Sequence, residues 1–303
     1  MGYHCVVCVK QVPDTKRITG QAMKEDGTVN RAALPAVFNP EDLNALELAL
    51  AIRDQHGGTV TVVTMGAPAA AEVLRESLFR GADRAVLLTD RRAAASDTLA
   101  TSYILSCAIR KIGFDLVLCG RQAIDGDTAQ TGPQLAQKLD IAAVTYLDEL
   151  VSLEAGKLTA RRNVGNGYEV VAGKLPLLVT VMDTANVIRP AAAKRMMKYK
   201  KARCAAEIAR EVDQELASAP AAQKTARLAE LIEAMKAKGL LIEQWGLDEI
   251  GADLAWCGRS GSPTKVHEIK SLVLAGGTYR EFPATAEGIG TLVGELIEEH
   301  TIG

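Results

Sequence analysis

The chain lacks most of the features that would assign it to a common function class. In 303 residues no apolar run reaches the ~20 needed to span a bilayer. The stretch MGYHCVVCVKQVPD turns polar too early for a secretory leader, so the expectation is a soluble, cytoplasmic protein with no direct membrane insertion. An excess of either charge is also missing: 35 Lys and Arg against 37 Asp and Glu leave a net charge of −2. Apart from one local run the basic residues are spread out, which argues against nucleic acid as a partner. Histidine is scarce, at positions 4, 56, 267 and 300, with no metal-ligand spacing, and neither a nucleophile elbow nor a P-loop is present. Acid–base hydrolysis therefore has no evident machinery, and no catalytic residue is assigned. Six cysteines occur, at 5, 8, 107, 119, 204 and 257. Cys5 and Cys8 form a CxxC that suggests zinc or a redox pair, but no second CxxC completes a site. Side chains three apart on a strand point to opposite faces, so both read as small residues of a buried first strand.

What is present is a strand and helix rhythm within a 48% hydrophobic chain. Strands are expected over 4–9, 60–65, 84–88 and 116–119. Helices are expected over 40–55, with Asn39 as N-cap and Gly57–Gly58 as stop, over 69–80, closed by Gly81, and over 98–112, opened by Ser96 or Asp97. Strands joined by helices imply an α/β fold, a Rossmann-like parallel sheet flanked by helices, with ligands where strand carboxyl ends meet helix amino ends. Residues 146–183 alternate and carry Gly-rich turns, which suits antiparallel strands ending in the buried strand LPLLVTVM. The basic, proline-containing segment 187–203 reads as an exposed docking surface. Residues 205–238 read as one or two surface helices. From Leu247 to Gly303 no core pattern shows until an amphipathic helix over 286–299, so this arm is expected to pack on another subunit. The organisation expected is a nucleotide-binding domain over 1–186, a recognition loop over 187–203, a helical insertion over 204–246 and a C-terminal arm over 247–303.

The most informative stretch runs from Asp115 to Leu139. The strand DLVLCG empties through the polar turn RQAIDGDTAQTG into the apolar-periodic PQLAQKL. Such a turn leaves backbone N–H groups pointing at one spot, a way to hold phosphate without a dedicated basic residue. Gly126, Thr128, Gln130, Thr131 and Gly132 offer donors. Asp125 and Asp127 would repel phosphate unless they cap the helix or bond ribose hydroxyls. The plain alternative is an ordinary capped turn. A second element, SDTLATS at 96–102, supplies an N-cap and leaves Thr98, Thr101 or Ser102 free for a diphosphate or ribose; a simple capped helix explains it equally well. KQVPD, Lys10 to Asp14, follows the first strand, and TMGAP, with Met65 and Gly66, lets a planar base approach the backbone. A nucleotide-like cofactor carries its own chemistry, so a redox protein needs no proton-transfer groups.

Over almost its whole length the chain resembles the beta, or small, subunit of electron transfer flavoproteins. The matching pieces are VCVKQVPDT at 7–15, FNPEDLNALELAL at 38–50, VTVVTMG followed by LRESLFRGADRA at 74–85, DLVLCGRQAIDGDTAQTGPQLA at 115–136 and MMKYKKA at 196–202. The resemblance implies a Rossmann-like domain of adenine nucleotide alpha hydrolase type, paired with an alpha subunit that carries a flavin. It puts the adenine and ribose at Cys8, Asn39, Asp42 and Met65, and the phosphates on the loop from Gly120 through Gln122, Ala123, Gly126, Asp127 and Thr128 to Gln130 and Thr131. LLTDRRAAASDTLATS resembles the electron-bifurcating branch, as does GSPTKV at 261–266. That adds Asp97, Thr98 and Thr101 to the site and favours FAD over the AMP of conventional members, with NAD(H) exchanging hydride with the FAD. The partners implied are the alpha subunit and an acyl-CoA dehydrogenase or an iron–sulfur/quinone oxidoreductase. Two positions depart from the pattern. Ala193 stands where the family's docking loop presents a bulky aliphatic anchor, forgoing ~2 kcal/mol of apolar burial, and the stretch 205–245 is an insertion that the typical subunit lacks. A conventional AMP-holding subunit and a stand-alone nucleotide-sensing protein are the alternatives.

Overall fold

The computed structural model describes residues 2–14, 34–264 and 280–298. Thr15, Lys265, Val266, His267, Glu299 and His300 lie outside the described residues. β1 (Tyr3–Cys8) enters the core at once. Cys5 and Val7 face one apolar cluster and Val6 and Cys8 the other, so the two CxxC thiols stand on opposite sides of the sheet. β2 (Gln11–Pro13) and β3 (Ala36–Phe38) form a short antiparallel ribbon that the sequence pattern does not announce.

α1 (Pro40–His56) opens on a proline, with Glu41 and Asp42 in its first turn, and stops at Gly57, whose φ of +76° suits glycine. β4 (Gly58–Met65) follows, then a 3₁₀ turn at Pro68–Ala70 that replaces the expected first residues of α2 (Ala71–Arg80). β5 (Arg84–Leu88) leads to α3 (Thr98–Ile112), whose bounds match the sequence reading. β6 (Leu116–Gly120) and α4 (Thr131–Leu139) flank the polar turn. β7 (Ala142–Glu154), β8 (Lys157–Asn163) and β9 (Tyr168–Lys174) are antiparallel neighbours, as expected. β10 (Leu177–Val181), the LPLLVTVM strand, instead inserts parallel between β6 and β7 with every residue buried.

The described residues form one ten-stranded sheet, whose order is completed by β11 (Arg203–Cys204) and β12 (Leu241–Trp245): β11-β12-β5-β4-β1-β6-β10-β7-β8-β9. β1 pairs parallel with β4 on one side and β6 on the other, so the strand order turns at β1 and opens a crevice above its carboxyl end. Leu46, Leu50, Ile52 and Leu74 bring α1 and α2 onto one face; Ile104, Ile109 and Leu135 bring α3 and α4 onto the other.

β12 corrects the reading of 204–246 as a purely helical insertion. α6 (Ala205–Glu215) and α7 (Ala221–Ala237) are the two surface helices, but they serve as the crossover from β11 to β12, which pairs with β5. Arg75, on α2, is buried, is held by Glu72 of the same helix, and joins this unit to the main body through both oxygens of Glu207 and the Ala202 carbonyl. The C-terminal arm likewise has core after all: Leu247, Ile250 and Cys257 are buried in the cluster beneath α3. The basic segment is exposed along α5 (Ala193–Tyr199), none of whose residues is buried, and Ala193 lies at its exposed start. It is anchored all the same: Arg189 pairs with Glu47 and Asp54, Arg195 donates to the carbonyls of Leu78 and Ala82, and Ala202 is fully buried. α8 (Gly258–Gly261) is a single turn, and α9 (Ala286–Glu298) leaves Ile289, Leu292, Val293 and Ile297 exposed. Among the described residues no helix is long and apolar enough to cross a membrane.

Candidate functional site

The crevice lies where β1 and β6 end against the first turn of α1. Asn39 is the N-cap, as expected from the sequence, but its side chain makes no cap bond. Its amide bridges instead to the polar turn, donating to the Gln122 carbonyl at 2.9 Å and accepting from the Ile124 N–H at 3.2 Å. Glu41 accepts the Gln122 N–H at 2.8 Å and pairs with Arg121 at 2.7 Å. Asp42 accepts the N–H of Gly120 and of Lys10, both at 2.9 Å. Each of its two oxygens thus accepts one backbone N–H. Burial pushes the Asp42 carboxyl up to about 7 and that of Glu41 in the same direction, against the bonds they accept. Gly120 permits this contact, since a Cβ there would lie 2.5 Å from Asp42 Oδ1 and 2.8 Å from Glu41 Cβ. Below, Cys8 is buried and its thiol is pushed up to about 12 by desolvation, so it supplies a small apolar floor rather than a nucleophile.

The turn from Arg121 to Gln130 is shaped by two left-handed residues, Asp127 (φ +48°) and Ala129 (φ +52°). Neither aspartate caps α4. Asp125 takes the Lys10 ammonium with both oxygens at 2.8 Å, and Asp127 accepts from the Gln122 amide at 3.2 Å. Gln130 holds the N-cap position of α4 without a side-chain cap bond. Gly126, Asp127, Thr128 and Gln130 are exposed, and Ala123 and Thr131 half-buried. Gly132 has a packing role: it is buried, and a Cβ there would sit 2.6 Å from Thr180 Cγ2 and 3.0 Å from Cys119 Sγ.

The amino end of α3 reaches the same crevice through a 3.0 Å hydrogen bond from Thr98 Oγ1 to Gln130 Oε1. Asp97 is the N-cap: Oδ1 accepts the Ala100 N–H and Oδ2 the Thr264 N–H, each at 2.9 Å. Burial raises the Asp97 carboxyl, and the backbone bonds outweigh it, holding the group below its ordinary range. Thr101 is half-buried one turn along. Ser102 is not available to a ligand as expected, because it is fully buried and donates to the Leu99 carbonyl at 2.7 Å. Met65, half-buried, and Gly66, tied to the Leu88 carbonyl at 3.0 Å, mark the end of β4 next to β5. The residue reading missed Glu41 and Arg121, and placed neither the Lys10–Asp125 pair nor Ser262 and Thr264. KQVPD and GSPT stand out in sequence, yet nothing local puts Ser262 against Asp97, 165 positions away.

Residues 26–207 match the family described as Electron transfer flavoprotein domain. The chain is 39% identical over 298 residues to the Electron transfer flavoprotein subunit beta of Clostridium acetobutylicum, covering 98% of this chain and 99% of that one. It is 38% identical over 300 residues to the Caffeyl-CoA reductase-Etf complex subunit CarD of Acetobacterium woodii, again covering 98% and 99%. Protein FixA of Sinorhizobium fredii is 40% identical over 274 residues, 88% of this chain and 82% of FixA.

Proposed function

Since the chain belongs to the electron transfer flavoprotein family, as a beta subunit, we propose that its crevice holds FAD and that the FAD exchanges hydride with NAD(H) in a bifurcating or confurcating complex. The observation that carries this reading is the hydrogen bond from Thr98 to Gln130, which joins the amino ends of two successive crossover helices along one opening. A dinucleotide has two phosphates to hold, and the opening offers it two adjacent groups of donors: the exposed turn before the uncapped α4, and the threonines of α3. FAD when bound would supply the hydride and single-electron chemistry. The protein's part is to bind and orient. Gly126, Thr128, Gln130 and Thr131 would present donors to the diphosphate, Thr98 and Thr101 would add hydroxyls, and Cys8, Asn39 and Met65 would bound the adenosine end. The buried carboxyls of Glu41 and Asp42 fix the backbone of the turn from beneath. Electrons would pass to the flavin of an alpha subunit and on to a partner oxidoreductase, either an acyl-CoA dehydrogenase or an iron–sulfur/quinone enzyme. The relative CarD belongs to a caffeyl-CoA reductase complex, which supports an acyl-CoA-linked partner.

A second reading, AMP held as a structural nucleotide, is favoured by the Asp97 carboxylate, which already takes up N–H groups at the start of α3 and leaves α4 as the uncapped end. Flavin stoichiometry separates the two. The purified alpha–beta complex should contain two flavins per heterodimer, and NADH should bleach them; one flavin with bound AMP refutes the FAD reading.

A further inference from the structure

Building on the reading of a dinucleotide in the crevice, we propose that Ser262 is a positioning residue that sets the length of nucleotide the site accepts. Ser262 is 4% exposed and lies in the chain that follows α8. Its hydroxyl is used in both directions: Oγ accepts the Asp97 N–H at 2.8 Å and donates to the Gly258 carbonyl at 2.7 Å. The contact is made twice more around it, by the Gly258 N–H to Ser96 Oγ at 3.0 Å and by the Thr264 N–H to Asp97 Oδ2. Gly258 has φ +64°, and a Cβ there would run into the Arg92 carbonyl, so only glycine passes at this point. The incoming chain is held by Asp248 on Arg92 and by the Leu247 N–H on Asp90.

This knot bears on the residue that starts α3. Asp97 caps the helix from its amino side, and the orientation of its backbone decides where the next residue, Thr98, places its hydroxyl. Thr98 in turn meets Gln130 at the amino end of α4. Ser262 touches neither ligand donor and acts through Asp97. Without its hydroxyl a part-buried N–H and a buried carbonyl lose their partner together, and the first turn of α3 is free to draw back from α4. A mononucleotide seated on the α4 turn does not reach α3 and is indifferent to that change; a dinucleotide loses half its donors.

The test uses the alpha–beta complex stripped of its beta-site nucleotide and titrated calorimetrically with FAD and with AMP. Ser262→Ala is expected to bind FAD at least tenfold more weakly with AMP affinity unchanged within twofold, and Ser262→Thr, which keeps the hydroxyl, to recover FAD affinity to within threefold of wild type. Equal losses for FAD and AMP assign Ser262 a merely structural role and overturn the proposal, as does an unchanged FAD affinity in a wild-type-like Ser262→Ala complex. Should Ser262→Ala fail to assemble, Ser262→Cys decides, since it fills the same space with a weaker donor and acceptor: a loss for FAD with AMP affinity unchanged supports the coupling, and unchanged FAD binding refutes it. A wild-type complex with one flavin and tightly held AMP overturns the function reading and this inference together. Two flavins in wild type with an indifferent Ser262→Ala overturn the inference alone.

Discussion

Gly120→Ala is expected to damage this protein out of proportion to the methyl group it adds. The new Cβ would stand 2.5 Å from Asp42 Oδ1 and 2.8 Å from the Glu41 carbonyl carbon and Cβ, whereas ordinary contact begins near 3.4 Å. α1 would have to retreat by roughly 0.9 Å, and its near neighbours here are backbone and a buried carboxylate rather than the end of a flexible chain. Overpacking of this kind costs about 1–3 kcal/mol. The retreat also stretches the Gly120-to-Asp42 and Gln122-to-Glu41 bonds, worth about 1 kcal/mol each. A loss of about 2–4 kcal/mol corresponds to a melting point lower by roughly 3–6 °C for a chain of 303 residues. Gly126→Ala is the matched control, because nothing lies within 4 Å of a Cβ there, and it should move stability by less than about 0.5 kcal/mol. Thermal unfolding of the two variant complexes, followed by circular dichroism, makes the comparison, with nucleotide affinity as a second readout. If Gly120→Ala melts within 1 °C of Gly126→Ala, the close approach of α1 to β6 does not support the site as argued.

Two further perturbations follow from buried charge. Burial raises the folded-state carboxyl of Asp42 to about 7, above its unfolded value near 4, so the folded protein binds that proton more tightly and stability declines as pH rises between those values. Urea midpoints of the wild type should therefore fall from pH 5 to pH 7.5 and the decline should flatten in Asp42→Asn; identical slopes would show that Asp42 is not the group responsible. Arg75→Ala leaves Glu207 and the Ala202 carbonyl without their cation, which should cost roughly 2–3 kcal/mol once the partial exposure of Glu207 is discounted. The measurement is the denaturant midpoint, and a change below 0.5 kcal/mol would remove Arg75 as the link between α2 and α6.

The central architecture was legible because its signals are local. Gly57 and Gly81 stop their helices, Asp97 caps α3, and the apolar runs at β4, β5 and β6 leave little choice of face. The parts that escaped depend on partners distant in sequence. LIEQW, with Ile242 as its one buried residue, has too weak an alternation to announce a strand until β5 is there to pair with it. Asn39 has the right type and position for a cap, but the carbonyl of Gln122, 83 positions on, offers its amide a better-placed partner. Gly132 reads as a phosphate-loop glycine from its neighbours, and only Thr180 and Cys119 reveal that it is small for packing. The polar segment is a turn, as its composition suggests, but the left-handed residues that shape it are Asp127 and Ala129 rather than its glycine.

The pairing of β12 with β5 bears on how the molecule is made. A nascent chain that has emerged only as far as β10 already has the middle of its sheet, yet β5 still presents a bare edge and α3 has no tail upon it. Some sixty more residues must leave the ribosome before that edge is covered. Synthesis therefore passes through a stage with an aggregation-prone strand edge open to solvent, which gives a holdase something to grip.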